Sequence, residues 1–258
     1  MAKPAITVSA TRYDRLDALR GVAIVWMAVF HFCFDLNHYR LLKPVQFFLS
    51  DPFWTRQRVA IVSLFLLCAG AGQAVALVSG QGWPRFWRRW AQVALCAGGV
   101  SLGSALMFPH SWISFGVLHG VMAMLLLVRL AMVPVLRRWP GDGLQVQSGL
   151  WLAGALALAL PHLWRHEMFN NRLWNWTGLV SQLPLAEDYV PVLPWLGVML
   201  CGLAVGLWLL ARHRSVLAGP VPAVAQPLAL LGRWSLSFYM LHQPVLLGLI
   251  TAWLAWVH

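Results

Sequence analysis

Residues 90–128 read WAQVALCAGGVSLGSALMFPHSWISFGVLHGVMAMLLLV, a run with no Asp, Glu, Lys or Arg. A helix that crosses a bilayer needs roughly 20 apolar residues, so this run is nearly two spans long. Pro109, His110 and Ser111 lie at its middle, where a proline and two polar residues favour a turn over a continued helix. The run therefore divides into two membrane helices joined by a short connection. Neither half has the ten-residue apolar–polar alternation of a barrel strand.

The same reading extends outward in both directions. Further uncharged stretches lie between Arg20 and Asp35, from Val59 to Pro84, from Gly143 to Trp164, from Tyr189 to Ala211, and from Trp234 onward. They predict seven helices, at residues 17–37, 59–79, 87–108, 115–133, 147–163, 192–211 and 234–256. The expected fold class is all-α, a polytopic integral membrane helix bundle. Composition agrees: 60% of residues are hydrophobic, 10% are charged and the mean hydropathy is +0.67. A soluble domain carries about 25% charged residues. A soluble enzyme, a disordered chain and a secreted disulfide scaffold are therefore excluded.

The net charge of +11 belongs to loops. Thirteen of the nineteen Lys and Arg residues fall at one end of the predicted spans and six at the other. By the positive-inside rule this places the N-terminus in the cytoplasm and the C-terminus outside. Lipid head groups account for such a balance, and no nucleic acid partner is expected. Met1–Thr11 is polar and has no signal-peptide core, so the first span reads as a retained helix. Cys33, Cys68, Cys96 and Cys201 lie in apolar runs without a Cys-x-x-Cys pair, and no metal site is expected. Residues 212–233 carry Pro220, Pro222 and Pro227 and read as an extended linker. Most of the sixteen tryptophans fit interfacial belts, with Trp83, Trp87 and Trp90 at the inner boundary. Glycines such as Gly70, Gly72, Gly98 and Gly99 read as close helix packing.

Polar groups inside spans are costly and mark function. The first span is the richest, with Asp17 and Arg20 at one end and His31, Asp35 and Asn37 toward the other. Asp17 and Arg20 are three apart and share a face, as do His31 and Asp35, four apart. A carboxylate beside an imidazole orients it as a general base. His31 lies about 21 Å along the helix from Asp17, in the outer half of the membrane. His119 opens the fourth span, and His242 precedes Gln243 and Pro244 in the seventh. A His–Asp pair alone is as well explained by packing, but three histidines at membrane depth favour a site.

Arg15-Leu-Asp-Ala-Leu-Arg-Gly21, running into a helix that holds His31 and Phe34-Asp-Leu-Asn37, resembles the opening of bacterial relatives of heparan-α-glucosaminide N-acetyltransferase. Phe65–Gly70, Phe115-Gly-Val-Leu-His119, Pro194-Trp-Leu-Gly197, Leu231–Leu236 and Leu241-His-Gln-Pro244 follow in the order of that family. The resemblance implies two regions: a cytoplasmic N-terminal segment, 1–16, and a single transmembrane acyltransferase-like domain, 17–258. It implies transfer of an acyl group, typically acetyl, from cytoplasmic acyl-CoA to an amine or hydroxyl of a saccharide or glycolipid at the outer face. Acyl-CoA is then a donor substrate, and no cofactor is expected to be permanently bound. The location implied is the bacterial cytoplasmic membrane. The family's catalytic histidine sits near the outer end of the first helix. His31 holds the motif position, His38 follows it, and the choice between them stays open beside Asp35. Asn37, His119, His242 and Gln243 are the expected substrate-binding residues. Arg20 and Arg233 are those expected to hold CoA phosphates. The luminal domain of the lysosomal members has no counterpart here, so a heparan-like acceptor is not expected. The competing readings are a proton-coupled transporter or flippase using the same His and Asp residues, and a haem protein with two axial histidines. Homo-oligomerisation stays open.

Overall fold

A computed structural model describes residues 13–186 and 188–257. The N-terminal reading of Met1–Thr11, together with Lys3, Arg12, Glu187 and His258, lies outside the described residues. In chain order the helices are α1 (Asp14–His38), α2 (Pro52–Val78), α3 (Trp83–Met107), α4 (Val117–Arg138), α5 (Leu144–Leu163), α6 (Val192–Arg212), α7 (Arg214–Leu217), α8 (Gln226–Arg233) and α9 (Ser235–Val257). All but the short α7 and α8 are long and apolar enough to cross a membrane, which gives the seven spans expected. No strand occurs among the described residues. The chain is an all-helical integral membrane protein.

The quoted run breaks where its prolyl turn was expected, and side chains tie that turn down. Ser101 Oγ donates to the Ile113 carbonyl (2.6 Å), and Ser104 Oγ accepts from the Ile113 amide (2.9 Å). The turn therefore folds back onto α3. The second span begins seven residues earlier than its apolar stretch, because Asp51 accepts from Phe53 N (2.7 Å) and Pro52 starts the helix. Capping extends the helix past Arg56 and Arg58, where hydropathy stops.

Between membrane helices, lipid is as apolar as leucine, so close approach and dispersion replace the hydrophobic effect. The α2–α6 contact is built that way. Gly202 lies against the Leu67 backbone, and Gly206, four residues on, lies against Ala71 and Ala74. Leu66, Met124, Met199, Leu203 and Leu207 fill the core between α2, α4 and α6 and are fully buried.

Residues 212–233 are not an extended linker. They form α7, a 3-10 turn at Ala223–Ala225, and α8, which packs along the first half of α1. Pro227 sits in the first turn of α8, where its missing N–H costs nothing. Gly232 lies against the Asp17 and Gly21 backbone, and Gly21 against the Leu228 carbonyl. Pro227 starts a helix, and the glycines let it dock. Arg15 also bonds the Ser215 carbonyl (3.0 Å), fastening this segment to the start of α1. The starts of α1 and α3 and the ends of α4, α6 and α8 gather Arg15, Arg20, Arg85, Arg138, Arg212 and Arg233 into a basic end of the bundle.

Candidate active site

α1 and α9 bring together four of the expected residues. Their contact lies toward the far end of the bundle from the arginines. The His31 and His242 rings face each other with centroids 5.2 Å apart. Gln243 Nε2 donates to Asp35 Oδ1 at 2.8 Å. His242 is fixed from below: its Nδ1 lies 2.7 Å from the Tyr239 carbonyl, and the Phe238 ring stacks on it at 6.1 Å. A carbonyl can only accept, so Nδ1 carries the proton and Nε2 of the neutral ring is left with its lone pair. Pro244 follows and offers no N–H to the Met240 carbonyl.

Three acceptor atoms at this contact are buried and have no hydrogen-bond partner among the described residues: Asp35 Oδ2, His242 Nε2 and Gln243 Oε1. Leaving such an atom unpaired costs about 1–3 kcal/mol, which native structures accept mainly where function demands it. The expected His31–Asp35 dyad does not close by hydrogen bond. The two share a face of α1, but the Gln243 amide takes the Asp35 oxygen, and the His31 ring turns to His242. Asp35 is oriented from α9 rather than from its own helix.

Three other predicted residues, His38, Asn37 and His119, have other neighbours. His38 is exposed in the last turn of α1, with its ring edge-on to Tyr39. Asn37 is occupied in holding the following loop, donating to the Gln46 carbonyl (2.9 Å) and accepting from the Gln46 amide (2.7 Å). His119 clips the start of α4 to α3. The Gly116 amide donates to its Nδ1 (3.3 Å), and its Nε2 meets Ser101 Oγ at 3.1 Å. Neither Asn37 nor His119 hydrogen-bonds the histidine pair.

Sequence reasoning missed Asp188. Its Oδ2 accepts from the Val117 amide (2.7 Å), so it caps α4 from a loop 71 residues away. Burial raises its carboxyl pKa, against the lowering effects of that hydrogen bond and of Arg58. The available signal was Gly116, which opens α4 without a side-chain oxygen for its free amides. Nearby, Tyr189 Oη donates to the Asn175 carbonyl (2.6 Å), and burial raises the phenol pKa.

At the basic end, a cleft of about 490 Å³ is lined by Tyr13, Asp17, Arg20, Ser79, Gln81 and Arg85 among others. Arg20 Nη1 pairs with Asp17 Oδ1 (2.9 Å), and its Nη2 reaches the Cys68 carbonyl (3.4 Å). Arg233 does not line the cleft. It pairs with Asp14 (2.9 Å) and approaches Asp17 Oδ2 (4.0 Å), tying α8 to α1.

Residues 12–244 match the family described as heparan-alpha-glucosaminide N-acetyltransferase, catalytic. The chain belongs to that family. The match runs from the start of α1 through His242 and Gln243, so the whole histidine-bearing contact lies inside the region that defines the family. No curated protein and no solved structure matches the chain. Membership of the heparan-alpha-glucosaminide N-acetyltransferase family makes the chain a membrane acyltransferase, with an acyl donor and a saccharide acceptor as its substrate classes.

Proposed function

We propose that the protein is an acyl-CoA-dependent O- or N-acetyltransferase of the bacterial cytoplasmic membrane. It takes acetyl from acetyl-CoA at the basic, cytoplasmic end and delivers it to an amine or hydroxyl of a saccharide or glycolipid at the outer face. The observation that carries this reading is the set of three unpartnered acceptors beside His31. A site of lone pairs fits an incoming O–H or N–H, and an anionic substrate would be repelled by it.

In this reading the acceptor proton moves to the histidine pair as the acceptor oxygen or nitrogen attacks the thioester carbonyl. The carbon–sulfur bond then breaks, and the CoA thiolate leaves and recovers the proton. His31 is the base, His242 Nε2 its relay, and Asp35, held by Gln243, stabilises the imidazolium. The nucleotide is held at the cleft around Arg20 and Arg85, eleven residues and about 16 Å below His31 along α1. The long pantetheine arm carries the thioester from one to the other. Arg233 acts there by fixing the Asp14–Asp17 carboxylates.

The test is transfer of labelled acetyl from acetyl-CoA into the glycolipid fraction of membranes holding the protein. His31→Ala abolishes transfer and His38→Ala retains it, while calorimetric acetyl-CoA binding weakens in Arg20→Ala. Loss in His38→Ala alone moves the base into the loop. No acetyl-CoA binding and no labelled product defeat the acyltransferase reading in favour of transport.

A further inference from the structure

Arg129 has no role in the reading above and no carboxylate partner among the described residues. It is 3% exposed, and its Nε and Nη1 are buried without a hydrogen-bond partner among those residues. Nη2 donates to the Gln81 carbonyl, in the loop that leads into α3. The guanidinium carbon lies 5.4 Å from the ring centroids of both Trp83 and Phe86, in the first turn of α3. That turn is itself uncapped, since Gly82 has no side chain to accept from it. Its amides carry the positive end of the helix dipole. A buried cation with two donor nitrogens unpartnered among the described residues therefore sits against an electropositive helix start. Both demand an anion, and Arg85 adds charge on the exposed side.

We propose that Arg129 and the start of α3 bind a phosphate ester at the basic end of the bundle, supplied by a phospholipid headgroup of that leaflet. The unpaired Nε and Nη1 lie on different edges of the guanidinium, and a phosphate has oxygens enough to meet one of them and still turn others to the α3 amides, where a carboxylate has only two. The stacked rings of Trp83 and Trp87, with Trp90 edge-on to Trp87, flank the same turn. Such a cluster lies at headgroup depth, and this favours a lipid over the phosphate of a soluble nucleotide.

The experiment delipidates the purified protein and titrates it, by native mass spectrometry, with phosphatidylglycerol and separately with coenzyme A. Wild type is expected to retain one phosphatidylglycerol that Arg129→Gln loses, with affinity at least tenfold weaker in the variant. Arg129→Lys keeps the buried charge and with it the fold. It loses the planar guanidinium and its several donors, and affinity drops about threefold. Coenzyme A binding is unchanged in both. A tenfold loss of coenzyme A binding with phosphatidylglycerol unaffected overturns the lipid assignment and gives the phosphate to the donor. Equal phosphatidylglycerol binding in wild type and Arg129→Lys overturns the site, and Arg129 is then only an aromatic clip.

Discussion

The two ends of α1 treat their polar residues in opposite ways. Near its start, Asp14, Asp17, Arg20 and Arg233 form a chain of ion pairs, and Arg15 reaches backbone carbonyls of the segment before α8. Near its end, Asp35 keeps one oxygen unpaired, and His31 makes no hydrogen bond with the described residues. Both groups sit on one helix in contact with the same stretch of chain, α8 below and α9 above. Polar residues that build the fold are satisfied by it. Those left open on the same helix, with Asp35 only 3% exposed, are held ready for something else.

Substitutions at three positions break or sharpen that contrast beyond the histidine test. The largest effect belongs to the open end. Asp35→Asn keeps an oxygen for Gln243 but removes the charge beside the histidines, and transfer is expected to fall by about 10²-fold with folding intact. A labelled-acetyl assay beside a thermal melt checks both halves. Next is Gly206→Leu, which drives a side chain into Ala71 and Ala74. Overpacking of this kind costs roughly 1–3 kcal/mol, read as a lower melting temperature in detergent without selective loss of acetyl-CoA binding.

The smallest effect is at Asp188. Asp188→Ala leaves the Val117 amide uncapped and costs about 1 kcal/mol, whereas Asp188→Asn keeps an acceptor. Because burial raises the Asp188 pKa, the folded state holds its proton more tightly than the unfolded one. Its contribution is full below the unfolded value of about 3.9 and is lost as pH rises through the folded pKa. Wild type should therefore lose stability relative to Asp188→Asn on going from acid to neutral pH. A flat difference across that range would show that the capping bond and Arg58 offset burial, and a gain with rising pH that they outweigh it.

Much of this was legible in the sequence because the bilayer allows few solutions. Uncharged runs of sufficient length gave all seven spans, and Pro109 divided the longest one. Where the reading erred, short-range signals had two meanings. Pro227 and Gly232 look like breakers in a linker but serve as a helix start and a docking surface. The site was legible by residue and not by partner. Helical spacing paired His31 with Asp35, but the pairing was decided by α9, more than 200 residues away. Asp188 was hidden for the same reason, since nothing near it in sequence shows that it caps α4.

Only Trp234 separates α8 from α9. Each residue of an α-helix turns the chain by about 100°. With α8 seated on α1 through Gly21 and Gly232, the rotational phase of α9 is set at the basic end and inherited by everything above. His242 faces His31 in the way the hand of a clock keeps the hour set at its arbor. One residue inserted at that junction would leave every side chain of the pair in place in the sequence and turn the two rings away from each other.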